Sequence, residues 1–349
     1  MKSFPLRVAI CAGGTGGHVN PAISVASYLQ SKQYAIDWYG RSEGFERKVL
    51  KEINEVQYRN IGFSRRFWGA YATHSLIKVL HMIIAFIKSL CYLMGKRPSY
   101  MVVFGSYITL PSAAAAIMLG IPIIVHEQNA VWGKTNRLLA PFATKRLTGF
   151  ETQTKYANQV VVGNPLHYGW MNHVVKRKAH RPKSPLKILV LGGSQGAQSI
   201  NQLIEGLIEV DSHWRDNFDI TWQTGHHQVK YATQPSLTIK SFIDDMLPYY
   251  TDTDLLISRS GAMTVSEALF FELPAIFIPY PYAVYQHQYH NAKAVAENAP
   301  VVIEPSLCVH ALISHLSQFK EGIHPLLNKT WKSHGHRVSE TMHHFLLQR

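Results

Sequence analysis

Twice in this chain an apolar run breaks into glycines and resumes as helix-compatible sequence. Val8-Ala9-Ile10-Cys11-Ala12 leads into Gly13-Gly14-Thr15-Gly16-Gly17-His18-Val19-Asn20, and a helical pattern opens at Pro21-Ala22-Ile23. Half a chain later, Lys187-Ile188-Leu189-Val190-Leu191 leads into Gly192-Gly193-Ser194-Gln195-Gly196-Ala197-Gln198. A strand that turns through glycines into a helix aims unpaired backbone N–H groups and the positive helix end at one spot. Such a spot attracts phosphate. Two of these units predict two nucleotide-type domains with a cleft between them.

A chain of 349 residues suits two domains of ordinary size, and 46% hydrophobic content fills two cores. Strand-like runs at 7–12, 35–39, 100–104, 121–126, 188–191, 220–223, 255–258 and 275–279 alternate with helical stretches such as 22–30 and 198–210. That alternation predicts an α/β fold of two doubly wound parallel sheets. The rhythm breaks between His167 and Pro185, where Lys176-Arg177-Lys178 and Arg181 sit among prolines, so the interdomain linker is placed just after Pro165.

The balance of 35 Lys and Arg against 22 Asp and Glu leaves a net charge of +13. No zinc-finger spacing, aromatic-interleaved basic repeat or other nucleic-acid module accompanies it, so anionic lipid and an anionic substrate are the favoured partners over nucleic acid. Three separated cysteines, Cys11, Cys91 and Cys308, form no metal or redox pattern and fit a reducing compartment. Arg7 interrupts the first apolar run, unlike a secretory signal, and the reading is cytoplasmic.

Phe63–Arg97 differs in character. Apolar residues recur at 76, 80, 83, 87, 90 and 94 with helical period. Lys78, His81 and Lys88 interrupt the run, which argues against a spanning helix of roughly 20 apolar residues. It reads either as a core helix or as an interfacial surface that holds Arg65, Arg66, Lys88, Lys96 and Arg97 against anionic lipid. The interfacial reading explains why so much of the helix circumference is apolar.

The first loop lacks Gly-x-Gly-x-x-Gly spacing, and Asp37, inside the second strand, reads as an ordinary exposed position, so hydride chemistry is disfavoured. His18, directly after the last loop glycine, is a candidate general base, with a structural histidine as the alternative. His126-Glu127-Gln128-Asn129 follows a strand and reads as polar groups facing a ligand crevice, or as a hydrogen-bonded loop entering the next helix. Glu127 is a second catalytic candidate. Ser258-Arg259-Ser260-Gly261-Ala262-Met263-Thr264-Val265-Ser266-Glu267 turns into a helix whose first turn suits a diphosphate, with Glu267 placed for a ribose diol; a plain cap needs Ser260 only. Pro279–Asn291, containing Gln288, offers amides for sugar hydroxyls. Asp252-Thr253-Asp254 matches a metal-holding Asp-x-Asp pattern, but it precedes a strand and reads as structural; no other cluster has metal-site spacing, and no cofactor is expected.

Six of these motifs occur in order: 13–18 with Pro21-Ala22, 126–129, Val162-Gly163-Asn164-Pro165, 192–197, Phe242-Ile243-Asp244-Asp245-Met246 and 259–267. Together they resemble the MurG family of bacterial undecaprenyldiphospho-muramoylpentapeptide β-N-acetylglucosaminyltransferases, which complete lipid II for peptidoglycan. The resemblance implies the glycosyltransferase B fold, with two Rossmann-like domains at 1–165 and 166–329 facing a central cleft and a final helix near 330–349 packing back on the first. It implies inverting transfer of N-acetylglucosamine from UDP-N-acetylglucosamine to the 4-hydroxyl of lipid I, at the cytoplasmic face of the inner membrane, with other cell-wall enzymes as further partners.

By motif, the implied donor contacts are Thr15, Gly16, Gly17, Asn129, Ser194, Ile243, Ala262, Met263, Thr264, Val265, Ser266, Glu267 and Gln288, with Arg259 near the diphosphate. Gly14, Tyr107 and His126 fall to the acceptor. Three departures stand out. Leu166 and His167 occupy the place of the family's donor-site arginine, which makes His167 a candidate donor contact. The second glycine loop reads Phe104-Gly105-Ser106-Tyr107, poorer in glycine than usual. Tyr285 and Gln286 replace acidic residues. The rival readings are a UDP-N-acetylglucosamine 2-epimerase-like enzyme, another UDP-sugar transferase of this fold, and a non-catalytic nucleotide-sugar sensor.

Overall fold

The computed structural model describes residues 6–50, 56–62, 75–170, 185–193, 195–297, 299–322 and 324. The chain divides into two compact units between Met171 and Asn172. The expected final helix at 330–349, Ser194, the residues 63–74 and most of the expected linker lie outside the described residues.

The first unit is a seven-stranded sheet, β1 (Arg7–Cys11), β2 (Ala35–Gly40), β3 (Val56–Asn60), β4 (Tyr100–Val103), β5 (Ile123–Glu127), β6 (Lys145–Thr148) and β7 (Gln159–Val161). Its order is β3-β2-β1-β4-β5-β6-β7, and each neighbouring pair is parallel. Alternation along β1 shows why helices cover both faces. Val8 and Ile10 pack with Val19, Ala22 and Val25 of the helix Gly16–Ser31. Ala9 and Cys11 pack on the opposite face with Ala113 and Ala116 of the helix Leu110–Met118.

The second unit holds β8 (Leu186–Leu191), β9 (Phe218–Gln223), β10 (Leu237–Lys240), β11 (Leu255–Ser258), β12 (Ala275–Phe277) and β13 (Val301–Ile303). The order β10-β9-β8-β11-β12-β13 repeats the first unit's plan. Ile188 and Val190 pack with Ile200, Ile204 and Leu207 of the helix Gln198–Val210.

In each sheet the order reverses beside the first strand of the unit. Loops on the two sides of that reversal diverge and leave a crevice at the carboxyl ends of the strands. Between β1 and β4 the crevice is flanked by 12–15 and 104–106, and between β8 and β11 by 192–197 and 259–261. The glycine loops therefore sit where an open α/β sheet binds its ligand.

Two expectations change here. The helix after the first glycine loop begins at Gly16 rather than Pro21, with Pro21 inside it, so His18 belongs to its first turn. Pro21, the sixth residue of that helix, has no N–H to give the carbonyl of Gly17, so the proline costs the helix one backbone bond. Asp37 is not exposed: it is buried at 1% exposure and accepts from Arg7 Nη1 at 2.7 Å and Arg59 Nε at 2.9 Å. An ion triad across β1, β2 and β3 accounts for an acid inside a parallel sheet.

The helix Ser75–Gly95 combines the two readings of its stretch. Ala85, Ser89 and Leu93 are buried against the sheet and the helix Leu110–Met118, and Ser89 hydrogen-bonds Ser112 at 2.8 Å. The opposite face exposes Ile83, Ile84, Ile87 and Met94. The segment Ile77–Gly95 is long and apolar enough to cross a bilayer, but spanning would require breaking the packing of its inner face.

Candidate active site

In the second unit a connected set of side chains draws the crevice loops together. Gly192 and Gly196 are glycines by necessity, since a Cβ would stand 2.3 Å from Ala197 N and 2.2 Å from Thr224 O respectively. Gln223, the last residue of β9, donates from Nε2 to Gly193 O at 3.1 Å and accepts from Ile243 N at 3.0 Å. One buried amide thus ties the glycine loop to the Ile243 loop. Arg259 reaches to the same region, donating from Nη2 to Ser199 Oγ at 2.7 Å and from Nη1 to the carbonyls of Ile278 and Pro279. Its guanidinium lies over Tyr280, 5.5 Å from the ring centroid. Burial depresses the Arg259 pKa, yet a guanidinium keeps its charge in such surroundings.

Gln288 Oε1 accepts from Tyr280 N at 2.9 Å, which extends the set to the last motif. Beyond Arg259, Gly261 is the N-cap of the helix Ala262–Phe270, so the plain-cap alternative, which called on Ser260, is not what the helix uses. Ser260 Oγ is buried with no partner among the described residues. Glu267, one face along this helix, accepts from Tyr250 Oη at 2.7 Å. Burial raises the Glu267 pKa and the phenol's hydrogen bond lowers it.

In the first unit, the glycine loop meets the loop after β4. A Cβ on Gly14 would stand 3.2 Å from Ser106 Oγ, and one on Gly105 would stand 3.2 Å from His18 Cδ2. His18 Nδ1 is 3.4 Å from Thr15 Oγ1 and the ring is half-buried. Tyr107 begins the single turn Tyr107–Thr109 beside it.

The 126–129 segment behaves differently from the expectation that all four residues face a ligand. His126 is fully buried, its Nε2 3.0 Å from Gly163 O, and burial pushes its pKa down to about 4. Glu127 is 2% exposed, and both its oxygens are occupied. Oε1 accepts from Asn129 N and Nδ2. Oε2 accepts from Gly133 N at 2.9 Å and Asn136 Nδ2 at 2.8 Å. A carboxylate holding four donors organises the entry to the helix Lys134–Leu139 and has no lone pair directed at a substrate proton. The proposed acceptor contact at His126 and catalytic role of Glu127 are corrected accordingly, and Asn129 is the half-buried member of the four.

Asp252 and Asp254 both engage Lys187 at the amino ends of β8 and β11: Asp252 Oδ2 by Nζ at 2.5 Å and Asp254 Oδ2 by the backbone N at 3.0 Å. Their place is the edge opposite the crevice. His167 is exposed in the first unit, its ring 5.6 Å from Trp170. Ser194 lies outside the described residues.

Comparison with known proteins fits this architecture. The glycosyltransferase family 28 N-terminal domain matches residues 8–148 and the family 28 C-terminal domain matches residues 187–344. A UDP-N-acetylglucosamine–N-acetylmuramyl-(pentapeptide) pyrophosphoryl-undecaprenol N-acetylglucosamine transferase of Francisella tularensis subsp. holarctica is 36% identical, covering 84% of this chain and 82% of its own. The chain belongs to the MurG family. A Coxiella burnetii transferase of the same name is 34% identical over 90% of both chains. The crystal structure of Acinetobacter baumannii MurG superposes with a TM-score of 0.72 at 27% identity, covering 97% of this chain and all of that one. Within the MurG family frame, Gln223 and Tyr250 are positioning residues that motif reading missed. Gln223 carried a signal, as a polar residue closing a strand at the carboxyl edge, whereas Tyr250 carried none.

Proposed function

We propose that this chain transfers N-acetylglucosamine from UDP-N-acetylglucosamine to the 4-hydroxyl of undecaprenyl-pyrophosphoryl-N-acetylmuramoyl-pentapeptide, with inversion, to give lipid II. The observation that carries the reading is the pair of glycine loops at two sheet reversals, in a chain 36% identical to a transferase named for that donor and acceptor.

The second unit takes the donor. The helix end at Ala262–Ser266, the Gly192–Gly196 loop and Arg259 face the diphosphate, and they stabilise the charge that develops on departing UDP. Glu267 accepts from the ribose hydroxyls, Ile243 lines the base, and Gln288 reads the sugar. The first unit takes the acceptor. Gly14, Tyr107 and the first turn of the helix Gly16–Ser31 hold its pyrophosphate, and His18 removes the proton from the attacking hydroxyl. Thr15, Gly16, Gly17 and Asn129 complete the donor contacts from this unit, with His167 in place of the family's arginine.

The acceptor stays in a bilayer, and the exposed Ile83, Ile84, Ile87 and Met94 face provides the means of reaching it. Peripheral attachment to the cytoplasmic side of the inner membrane follows, with the apolar face among headgroups and Lys88, Lys96 and Arg97 near anionic lipid. Purified protein supplied with UDP-N-acetylglucosamine and a lipid I analogue should yield the disaccharide lipid. A folded protein giving none overturns the reading.

A further inference from the structure

The ring of Tyr280 and its backbone N–H serve different neighbours. The Arg259 guanidinium lies over the ring, 5.5 Å from its centroid, and the Tyr280 N–H donates to Gln288 Oε1 at 2.9 Å. An N–H can only donate, so that bond takes the oxygen of the Gln288 amide and leaves Nε2 as its outer end. Arg259 is held as definitely. Nη1 spends its two hydrogens on the carbonyls of Ile278 and Pro279, at 2.9 and 3.1 Å, and Nη2 spends one on Ser199 Oγ. A guanidinium carries five N–H donors, so the Nε hydrogen and one on Nη2 are left for an anion. Hydrogen bonds restrain the edges of such a group, and here the Tyr280 ring covers a face. Tyr282 meets Tyr280 edge-on, with centroids 5.7 Å apart and planes at 73°, which steadies the ring in turn.

The ring is there for Arg259 rather than for the core. Tyr280 is 45% exposed, and it directly follows the two carbonyls that anchor Nη1. A contact between a ring face and a cation gains strength where the cation is partly desolvated, and Arg259 is half-buried. We infer that Tyr280 is a positioning residue of the donor site: its ring holds Arg259 toward the diphosphate while its N–H holds Gln288 toward the sugar. The inference rests on the donor assignment made above for the second unit.

Titration of the full chain with UDP and with uridine isolates the effect of the ring, because uridine has no phosphate for Arg259. Tyr280→Leu should bind UDP about fivefold more weakly and bind uridine as the parent does. Tyr280→Phe keeps the aromatic face and should match the parent on both. In an Arg259→Gln background, Tyr280→Leu should cause no further loss of UDP binding, since the ring acts through the guanidinium. The N–H is retained in every variant, so the ratio of UDP-N-acetylglucosamine affinity to UDP affinity should stay parental in Tyr280→Leu. An equal loss on uridine, a loss in Tyr280→Phe as large as in Tyr280→Leu, a shifted sugar ratio, or additive losses with Arg259→Gln overturns the inference. Unaltered UDP binding in Tyr280→Leu also overturns it, and the parent's own UDP binding then leaves the donor assignment standing. A parent that binds neither UDP nor UDP-N-acetylglucosamine brings down the donor assignment and the inference together.

Discussion

Tyr250 Oη lies 2.7 Å from Glu267 Oε2, and the Tyr250 ring stacks on Phe271 with centroids 5.0 Å apart. A phenol locked by stacking therefore fixes one oxygen of the carboxylate, and the ribose contact proposed for Glu267 falls to the other. Burial raises the Glu267 pKa, and the phenol counteracts it by bonding the ionised form. Removing the phenol takes away the opposing effect, so the pKa rises further. In Tyr250→Phe the acid limb of kcat/KM for UDP-N-acetylglucosamine should move to higher pH, and donor KM at neutral pH should rise roughly tenfold with kcat little changed. Side-by-side pH–rate profiles of parent and variant check this. An unmoved acid limb would mean that Tyr250 only fills space.

Gln223 makes a similar argument for loop placement. Its amide satisfies Gly193 O and Ile243 N together, and a shape-similar Leu satisfies neither. Two buried backbone groups would be left unpaired, at about 1–3 kcal/mol each where no relaxation occurs. Gln223→Leu should weaken donor binding about tenfold and leave acceptor KM at the parental value, because the glycine loop and the Ile243 loop lose their common tie. Isothermal titration with UDP reads the first effect and steady-state kinetics the second. A parallel loss on the acceptor side would show instead a general loosening of the protein.

The sequence exposed the interior of both sheets and missed their margins. Strands β1, β2, β4, β5, β8, β9, β11 and β12 are the apolar runs singled out from the sequence, whereas β3, β6, β7, β10 and β13 escaped. Four of those five form the sheet edges. They are short and partly solvated, with polar interruptions such as Val56-Gln57-Tyr58-Arg59-Asn60 and Leu237-Thr238-Ile239-Lys240, so neither a long apolar run nor clean alternation marks them. The site divides for a comparable reason. Glycine loops and helix starts are local and legible. The fate of Glu127 depends on Gly133 and Asn136, that of Asp37 on Arg7 and Arg59, and that of Glu267 on Tyr250. Those partners are assigned by the fold rather than by any motif.

His126 gives the protein an acid-sensitive joint. Buried between Gly163 O and Gln128 Nε2, it has its pKa pushed down from 6.5 to about 4, desolvation being the main cause. In the unfolded chain the ring protonates near its ordinary value, so below about 6.5 the unfolded state gains protons that the native state refuses. Stability from the neutral ring is complete above that pH and falls as pH drops toward 4, by roughly 3 kcal/mol at the lower end. His126→Gln does not titrate. Denaturant unfolding at pH 7 and pH 5 should show a smaller acid-induced loss in the variant than in the parent. Equal losses in both would place the acid sensitivity elsewhere.

The apolar face of the helix Ser75–Gly95 makes the membrane reading testable apart from the chemistry. Ile83 and Ile87 are 49% and 52% exposed, while Ala85 and Ser89, on the other side, are buried. Replacing the two isoleucines with serine should therefore leave the core intact. Moving a fully exposed isoleucine into an apolar phase yields roughly 1.5–3 kcal/mol, so about half of that per residue is available here. The double variant Ile83→Ser/Ile87→Ser should bind vesicles of phosphatidylglycerol and phosphatidylethanolamine at least tenfold more weakly, with about 1.5 kcal/mol or more lost from the two positions together. Turnover of a water-soluble acceptor analogue should match the parent, because neither residue lies in the crevice. Adding salt should weaken parent and variant alike, since Lys88, Lys96 and Arg97 act through charge that both retain. Vesicle binding unchanged by the double replacement would move the attachment surface off this helix.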